Sequence, residues 1–274
     1  MITSKENDYI KHIRLLYQKK YREEFEEYIV EGMKMVLEAI KCAKISKIVV
    51  SSETISEFQL TEIQNYLSNF GYSTDVVLDV SFNVFEYLSD TETPQGVLAV
   101  VKYNLISSDE IIRKLDDSFF ILDRVQDPGN LGTIIRSLDA AGFKNLVLSN
   151  DTVDQYNLKT IRSTMGSIYR LKIYKLQDDL NSFIDKVKEI GFKVVATSLN
   201  TDESVYDLNF SKNKYAVVMG NESQGVSSDV INNADVLVKI PMIGDAESLN
   251  VAVATSIIAF EKVRQECSQK IKIL

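Results

Sequence analysis

The chain has 274 residues, of which 45% are hydrophobic and 26% are charged, and its net charge is −8. These proportions are typical of a soluble globular protein, and the length allows one large domain or two ordinary ones. No apolar run reaches the roughly 18 residues that a membrane span needs, and the first residues lack the pattern of a signal peptide. We therefore expect a cytoplasmic protein.

Histidine and cysteine are scarce, which limits the chemistry available to the chain. Cys42 and Cys267 are the two cysteines, lie far apart in sequence and make no metal-binding spacing. His12 is the only histidine, so Ser-His-Asp catalysis and most histidine metal sites are excluded unless His12 itself serves. We expect no metal and a reducing compartment.

The distribution of charge matters more than its sum. A negative net charge argues mildly against nucleic acid, because binding rests on neutralising phosphates. Yet residues 11–22 and residues 159–175 each contain five lysines or arginines and no acid, whereas residues 51–101 contain eight acids and neither lysine nor arginine. Two basic segments on an acidic protein are compatible with an RNA-binding surface and equally with ordinary solvent-exposed faces.

The first hundred residues predict a small α/β domain. Apolar residues at helical spacing indicate helix over residues 8–45. Further strands are predicted at 48–51, 76–80 and 96–101, and further helices at 56–70 and 82–88. Residues 103–117 are polar and are our candidate linker, with room for a helix. The predicted boundaries are 1–102 for the N-terminal domain, 103–117 for the linker and 118–274 for the C-terminal domain.

Strands and helices alternate in the C-terminal domain, which predicts a mostly parallel sheet with helices on both faces. The predicted strands are 119–123, 145–149, 171–174, 193–197, 215–219 and 236–240. The predicted helices are 130–141, 154–160, 178–190, 226–232 and 248–267.

Three polar loops follow apolar strands in this domain, within residues 123–142, 217–226 and 240–254. Ligands of open α/β sheets bind beyond the carboxyl ends of the strands, so we expect the loops to form one composite site. The chain has neither a Rossmann glycine motif nor a phosphate-loop lysine motif. A ligand that is uncharged or cationic overall fits better than a phosphate, because the second loop carries an acid and glycines allow close backbone approach.

Each polar residue of these loops also has an ordinary structural interpretation. Asn130, Ser248 and Asn250 are residue types that cap helix N-termini. Glu222 stands where the helix dipole favours a carboxylate, and Arg136 can pair with a surface acid. These separate explanations weaken when the residues are considered together.

Three motifs in fixed order carry a family resemblance. They are Asp127-Pro-Gly-Asn-Leu-Gly-Thr-Ile-Ile-Arg136, Val218-Met-Gly-Asn-Glu-Ser-Gln-Gly-Val226, and Pro241-Met242 with Ser248-Leu-Asn-Val251. Over residues 119–262 the chain resembles the SpoU (TrmH-type) RNA 2′-O-ribose methyltransferases of the SPOUT superfamily. Residues 25–36 and 91–96 resemble, less specifically, the substrate-binding domain of the same family.

The resemblance implies an α/β fold in two parts: a C-terminal SPOUT α/β-knot domain, trefoil-knotted with a mostly parallel sheet, and a smaller N-terminal L30e-like α/β domain. It implies S-adenosylmethionine as cofactor, RNA as partner and a homodimer whose active sites use both chains. The expected reaction methylates a ribose 2′-hydroxyl, with 23S ribosomal RNA favoured over transfer RNA. An antibiotic-resistance methylation and an inactive RNA-binding or assembly protein on the same fold stay open. A nucleotide-dependent α/β enzyme is disfavoured, since the phosphate loop is missing.

The resemblance also assigns site residues. The expected catalytic residues are Arg136, Asn130, Glu222, Ser248 and Asn250. The expected cofactor-binding residues are Thr197, Ser198, Leu199, Gly220, Asn221, Gly225, Ile240, Met242, Ser248 and Leu249. The expected RNA-binding residues are Arg162 and Lys159, from a family-like segment, with Arg14, Lys19 and Lys20 from the first basic segment.

A guanidinium holds its proton too tightly to be a good general base. We therefore hypothesise that Arg136 steadies the developing alkoxide and a neighbouring phosphate, with proton relay as a further role. Asn130 and Glu222 are expected to orient the arginine and the ribose.

Overall fold

The computed structural model describes the backbone of residues 1–271 and the side chains of residues 1–268, and the chain divides into two compact units. Unit 1 comprises Met1–Leu105 and Tyr156–Tyr169, and unit 2 runs from Ile106 to Gln155 and resumes at Arg170. The segment Tyr156–Tyr169 therefore packs with the N-terminal unit, although it lies inside the C-terminal domain expected from the sequence. Within residues 1–271, no helix combines the length and apolar character that crossing a membrane requires.

The helices and strands alternate along most of the chain. The helices are α1 (Asp8–Leu15), α2 (Lys19–Phe25), α3 (Met33–Cys42), α4 (Glu57–Asn69), α5 (Phe82–Leu88), α6 (Ser108–Lys114), α7 (Pro128–Ala140), α8 (Leu158–Thr164), α9 (Leu180–Glu189), α10 (Ser228–Asn233) and α11 (Val251–Ile271). The strands are β1 (Glu27–Glu31), β2 (Lys44–Val50), β3 (Val77–Asp79), β4 (Val97–Lys102), β5 (Phe119–Leu122), β6 (Asn145–Leu148), β7 (Lys172–Lys175), β8 (Lys193–Thr197), β9 (Tyr215–Met219) and β10 (Val236–Val238).

Unit 1 is built on a four-stranded sheet in the order β1-β4-β2-β3. Here the continuous helix expected over residues 8–45 is wrong, because α1, α2 and α3 are separate and β1 interrupts them. β1 pairs antiparallel with β4, with Ile29 opposite Val100. Its run Tyr28-Ile-Val30 is fully buried and consists of residues that favour strands. Helical spacing on both sides concealed this short strand.

The other predicted elements lie within four residues of their expected bounds. The largest shifts include α8, which begins at Leu158 because the Asn157 side chain caps it by accepting from the Lys159 N–H. The candidate linker carries α6, which a Ser107–Glu110 capping box starts.

Unit 2 is built on a six-stranded sheet in the order β10-β8-β9-β5-β6-β7. All neighbouring strands pair parallel, which confirms the predicted parallel α/β architecture. The central strands β5 and β9 are apolar and buried throughout because helices cover both faces of the sheet. α7 and α11 contribute to the core on one face, and α6, α9 and α10 to the core on the other. The carboxyl ends of all six strands consequently point to the same edge, where the three polar loops begin.

Candidate active site

The first two loops are joined by the carboxylate of Glu222. Its oxygens accept the backbone N–H groups of Gln126 (3.2 Å) and Asp127 (3.1 Å), and Oε1 also accepts Nδ2 of Asn130 at 3.0 Å. The loop after β9 thus holds the loop after β5 through one side chain. In this structure Glu222 fixes the backbone at the start of α7 and orients Asn130; it makes no hydrogen bond to Arg136.

These hydrogen bonds also set the protonation state of Glu222. Partial burial opposes the charged form, but the bonds from Asn130 and from the backbone at Asp127 and Gln126 outweigh burial and lower the pKa from its ordinary value of 4.5. A lowered folded-state pKa contributes stability that is complete above about pH 4.5 and is lost as the pH falls through the lowered value. At neutral pH the carboxylate is charged and holds both loops.

The third loop joins the same group of residues through Asn250. Its Nδ2 donates to Oδ1 of Asn130 at 2.9 Å, while its Oδ1 accepts the N–H groups of Ala252 (2.9 Å) and Val253 (3.4 Å) and so caps α11. The hydrogen-bonded row Asn250–Asn130–Glu222, here called the Asn–Asn–Glu row, brings residues of the three predicted loops together. Between Ser248 and Asn250, the structure assigns the cap to Asn250.

Two residues outside the predicted site, Asp123 and Arg124, support the loop after β9. The buried carboxylate of Asp123 accepts the Ser227 N–H (2.8 Å) and Nε of Arg124 (3.1 Å). Arg124 has a left-handed backbone (φ 59°) and donates to Oε1 of Gln224 and to the carbonyl of Gly225. An acidic residue directly after a buried strand was the available signal for Asp123; no local pattern marks Arg124.

Gly220 is required by close packing. A Cβ at this position would lie 2.0 Å from the amide nitrogen of Val226 and 2.1 Å from the carbonyl carbon of Gly225. The loop closes back on itself there, since Asn221 and Gly225 exchange two backbone hydrogen bonds. Gly225 itself has φ 69°, a conformation that glycine adopts without steric cost. The two glycines therefore serve different purposes in one loop.

Arg136 lies outside the Asn–Asn–Glu row. It is on the exposed face of α7 and makes no hydrogen bond or ion pair with any side chain or backbone group that the structure describes. The alternative interpretation, pairing with a surface acid, is therefore not realised. An arginine without a carboxylate partner is available to an anionic ligand.

The predicted cofactor residues follow three neighbouring strands. Thr197 is the last residue of β8, and Ser198 and Leu199 follow it. The Gly220–Gly225 loop follows β9, and Ile240 and Met242 follow β10. Thr197 donates to the carbonyl of Val218, and the Ser198 N–H donates to the carbonyl of Val238, so both are tied to adjacent strands. Leu199 is 63% exposed.

The segment 241–249 is exposed except at Leu249, which is half-buried, and it forms no hydrogen bond to any residue that the structure describes. Ile243 is fully exposed, and Ser248 and Leu249 belong to this segment. Its backbone donors and acceptors are consequently free for a ligand.

The five predicted RNA-binding residues are all exposed and all belong to unit 1. Arg162 pairs with Asp90 at 3.0 Å, and Lys19 pairs with Glu23 at 3.5 Å. Lys20 and Arg14 lie over tyrosine rings. Among the residues that the structure describes, no three or more His, Cys, Asp or Glu residues form a group that could hold a metal ion.

Comparison with known proteins identifies both parts of the chain. The family model for the SpoU rRNA Methylase family matches residues 117–260, and that for the MRM3-like substrate binding domain matches residues 7–99. The chain is 34% identical to the 23S rRNA (guanosine(2553)-2′-O)-methyltransferase RlmP of Bacillus subtilis over 264 aligned residues. The aligned region covers 94% of this chain and 97% of the relative.

Two solved structures are similar over nearly the whole length. The AdoMet-bound rRNA methyltransferase from Sinorhizobium meliloti is 33% identical with a TM-score of 0.83, over 96% of this chain and 97% of that chain. The SpoU methyltransferase AviRb from Streptomyces viridochromogenes, in complex with AdoMet, is 25% identical with a TM-score of 0.81, over 96% and 100%. These matches confirm the resemblance that the three motifs indicated, and the chain belongs to the SpoU rRNA Methylase family.

Proposed function

We propose that this protein is an S-adenosylmethionine-dependent methyltransferase that methylates a ribose 2′-hydroxyl of 23S ribosomal RNA. The Asn–Asn–Glu row is the observation that carries the proposal, because it assembles the three family motifs at the ligand-binding edge of a parallel sheet. The family membership and the AdoMet-bound relatives support it.

The residues at this edge fit S-adenosylmethionine. Residues 241–249 offer unpaired backbone groups, and Leu199 and Met242 offer exposed apolar surface, which suits an adenine ring and a methionine chain. No lysine or arginine lies among the predicted cofactor residues. This suits S-adenosylmethionine, because its cationic sulfonium would be repelled by a basic side chain and it has no phosphate for one to bind. We propose that Thr197–Leu199, Gly220–Gly225, Ile240, Met242 and Ser248–Leu249 hold the cofactor.

When bound, the cofactor supplies an electrophilic methyl group on sulfur. Transfer of this methyl group to the ribose 2′-oxygen would release the neutral thioether S-adenosylhomocysteine and would pass the hydroxyl proton to solvent. We propose that Arg136 stabilises the negative charge that develops on this oxygen and binds the adjacent phosphate. The Asn–Asn–Glu row positions the start of α7, the helix that carries Arg136.

The trefoil knot is part of the proposal. β10 lies at the edge of the sheet, and β5 is three strands further in. The chain leaves β10, and by Asn250 it has reached Asn130 beyond β5, after which α11 packs beside α7 with a Ser256–Ser137 hydrogen bond of 2.8 Å. A path across the ends of two strands supports a threaded segment at 241–250. The L30e-like fold of residues 1–102 and a cytoplasmic location, where ribosomal RNA is modified, complete the proposal.

The test of the reaction is a map of 2′-O-methylation in ribosomal and transfer RNA from cells with and without the gene. We expect complete loss of one methyl mark in 23S ribosomal RNA, and the guanosine modified by the Bacillus subtilis relative is the first position to examine. Restoration of the mark by purified protein and S-adenosylmethionine is the control. A mark lost only from transfer RNA contradicts the substrate, and a protein without affinity for S-adenosylmethionine favours a binding-only role.

We also propose a homodimer whose active sites use both chains. Val253, Ile257 and Phe260 recur at helical spacing along α11. Val253 is 48% and Phe260 is 47% exposed, although soluble monomers seldom leave such an apolar stripe in water. A second copy of the helix would cover it.

Phe260→Glu is expected to convert the dimer to a monomer, with the dissociation constant rising about 100-fold or more, since a charge replaces a central apolar contact. Light scattering after size-exclusion chromatography should give twice the 31.0 kDa chain mass for the wild type and the single mass for the variant. Phe58→Glu, at a side chain 79% exposed in unit 1, is the matched control and should stay dimeric. A wild-type protein at 31.0 kDa contradicts the proposal.

A further inference from the structure

A basic and aromatic cluster on unit 1 is not explained by the methyl-transfer site. Nζ of Lys5 lies over the ring of Tyr87 at 5.1 Å from its centroid, and Cζ of Arg14 lies 5.3 Å from the same centroid. Arg14 is also 4.5 Å from the Tyr17 ring. The cluster combines the segment before α1, α1 itself and α5, so residues separated by up to 82 positions meet on one surface.

The two cations of this cluster have no carboxylate partner. Within residues 1–271, Lys5 and Arg14 form no ion pair, whereas the neighbouring Lys11 is paired with Glu6 at 2.7 Å. Both cations are exposed, and the Tyr87 ring is 38% exposed. A cation over a tyrosine ring in water is held only weakly, so either side chain can turn towards a phosphate and leave the ring face to another group.

An exposed ring flanked by unpaired cations fits the chemistry of a single-stranded nucleic acid. A base stacks on the ring irrespective of its identity, and the phosphates on either side of the nucleotide accept hydrogen bonds from the cations. A regular RNA duplex offers phosphates without an unstacked base, so it would use the cations but not the ring.

We infer that Lys5, Arg14 and Tyr87 bind an unpaired nucleotide of the RNA substrate, with its base stacked on Tyr87 and its flanking phosphates held by Lys5 and Arg14. This inference rests on the proposed function and names a surface for its substrate. Tyr17 holds Arg14 in position: its ring lies against the guanidinium, and its hydroxyl donates to the carbonyl of Leu88. That bond fixes Tyr17 against the end of α5, the helix that carries Tyr87.

The test measures binding of the full-length protein to a labelled 12-nucleotide single-stranded RNA and to its duplex, by fluorescence anisotropy over a range of salt concentrations. Tyr87→Leu is expected to weaken single-strand binding about tenfold or more without changing duplex affinity or the salt dependence. Tyr87→Phe should restore binding, because the ring alone stacks. Lys5→Gln and Arg14→Gln should each reduce the slope of log K against log salt by about 0.7.

The chain offers a matched control in Lys41 and Tyr66, where Nζ lies 5.2 Å from the ring centroid but Lys41 is paired with Glu38. Tyr66→Leu and Lys41→Gln should leave RNA affinity and salt dependence unchanged. Equal loss in Tyr87→Leu and Tyr66→Leu, or no loss in Tyr87→Leu, would overturn the inference.

Methyl transfer to 23S RNA by the wild type is measured in parallel. If the wild type transfers methyl groups and the Lys5, Arg14 and Tyr87 variants bind RNA as the wild type does, the proposed function stands and this surface is rejected. Tyr87-dependent RNA binding without any methyl transfer keeps the surface and contradicts the proposed function.

Discussion

Arg136→Ala is expected to lower kcat for RNA methylation about 100- to 1000-fold, the effect of removing one group that stabilises a developing oxyanion. Arg136 has no hydrogen-bond or ion-pair partner in the part of the chain that the structure describes, so its removal breaks no hydrogen bond there. The loss should therefore fall on the chemical step and on RNA affinity, while the affinity for S-adenosylmethionine and the unfolding temperature stay close to wild type.

Single-turnover methylation over a range of RNA concentrations measures the chemical step and the RNA affinity. Calorimetric titration with S-adenosylmethionine and thermal unfolding measure the other two quantities. Arg136→Lys keeps the charge but not the planar, two-pronged donor set, so it should recover only part of the rate. Arg113→Ala is the control, because Arg113 is another exposed arginine of unit 2 without an ion pair in the described chain. Near-native turnover in Arg136→Ala, with normal cofactor binding, would reject the assigned role.

The sequence predicted the elements of unit 2 well for a physical reason. Strands buried on both faces are nearly continuous apolar runs, and glycines or polar loops bound them, so β8 and β9 are found at their predicted residues. β1 was missed because its five residues lie between two segments with helical spacing. Its pairing with β4, some 70 residues away in sequence, leaves no local periodic signal.

The candidate site shows the same division between local and long-range information. The three motifs identified Asn130, Glu222 and Asn250, but not that Glu222 holds the backbone at Gln126 and Asp127, 96 and 95 positions away. The segment Tyr156–Tyr169 is a second case. Tyr156 stacks on Tyr28 at 4.2 Å between ring centroids. The segment lies between β6 and β7 in the chain, so its position in the sequence predicted packing within unit 2 and not with unit 1.

Gly220→Ala is expected to have the largest effect on the cofactor site. A methyl group 2.0 Å from the Val226 nitrogen meets backbone, which cannot turn aside as a flexible side chain can. Overpacking costs roughly 1–3 kcal/mol in well-packed interiors, and we expect about 3 kcal/mol or more here. The loop must move, and since it carries Glu222, the Asn–Asn–Glu row moves with it. Affinity for S-adenosylmethionine should fall at least about 100-fold.

Two other glycines separate the steric cause from a general effect of alanine. Gly225→Ala meets no atom within 4 Å but must hold φ 69°, at a cost of about 1–2 kcal/mol. Gly244→Ala has neither a contact within 4 Å nor a positive φ, so its free energy of unfolding should stay within about 0.5 kcal/mol of wild type.

Denaturant unfolding and calorimetric titration of the three variants should therefore rank the losses as Gly220, then Gly225, then Gly244. The ranking follows from geometry alone, because the substitution adds the same methyl group each time. If Gly220→Ala unfolds with the wild-type free energy and binds S-adenosylmethionine normally, the tight closure of the Asn221–Gly225 loop is not what shapes the cofactor site. If Gly244→Ala loses affinity for S-adenosylmethionine while keeping its stability, the backbone at position 244 lies so close to the bound cofactor that it leaves no room for a methyl group.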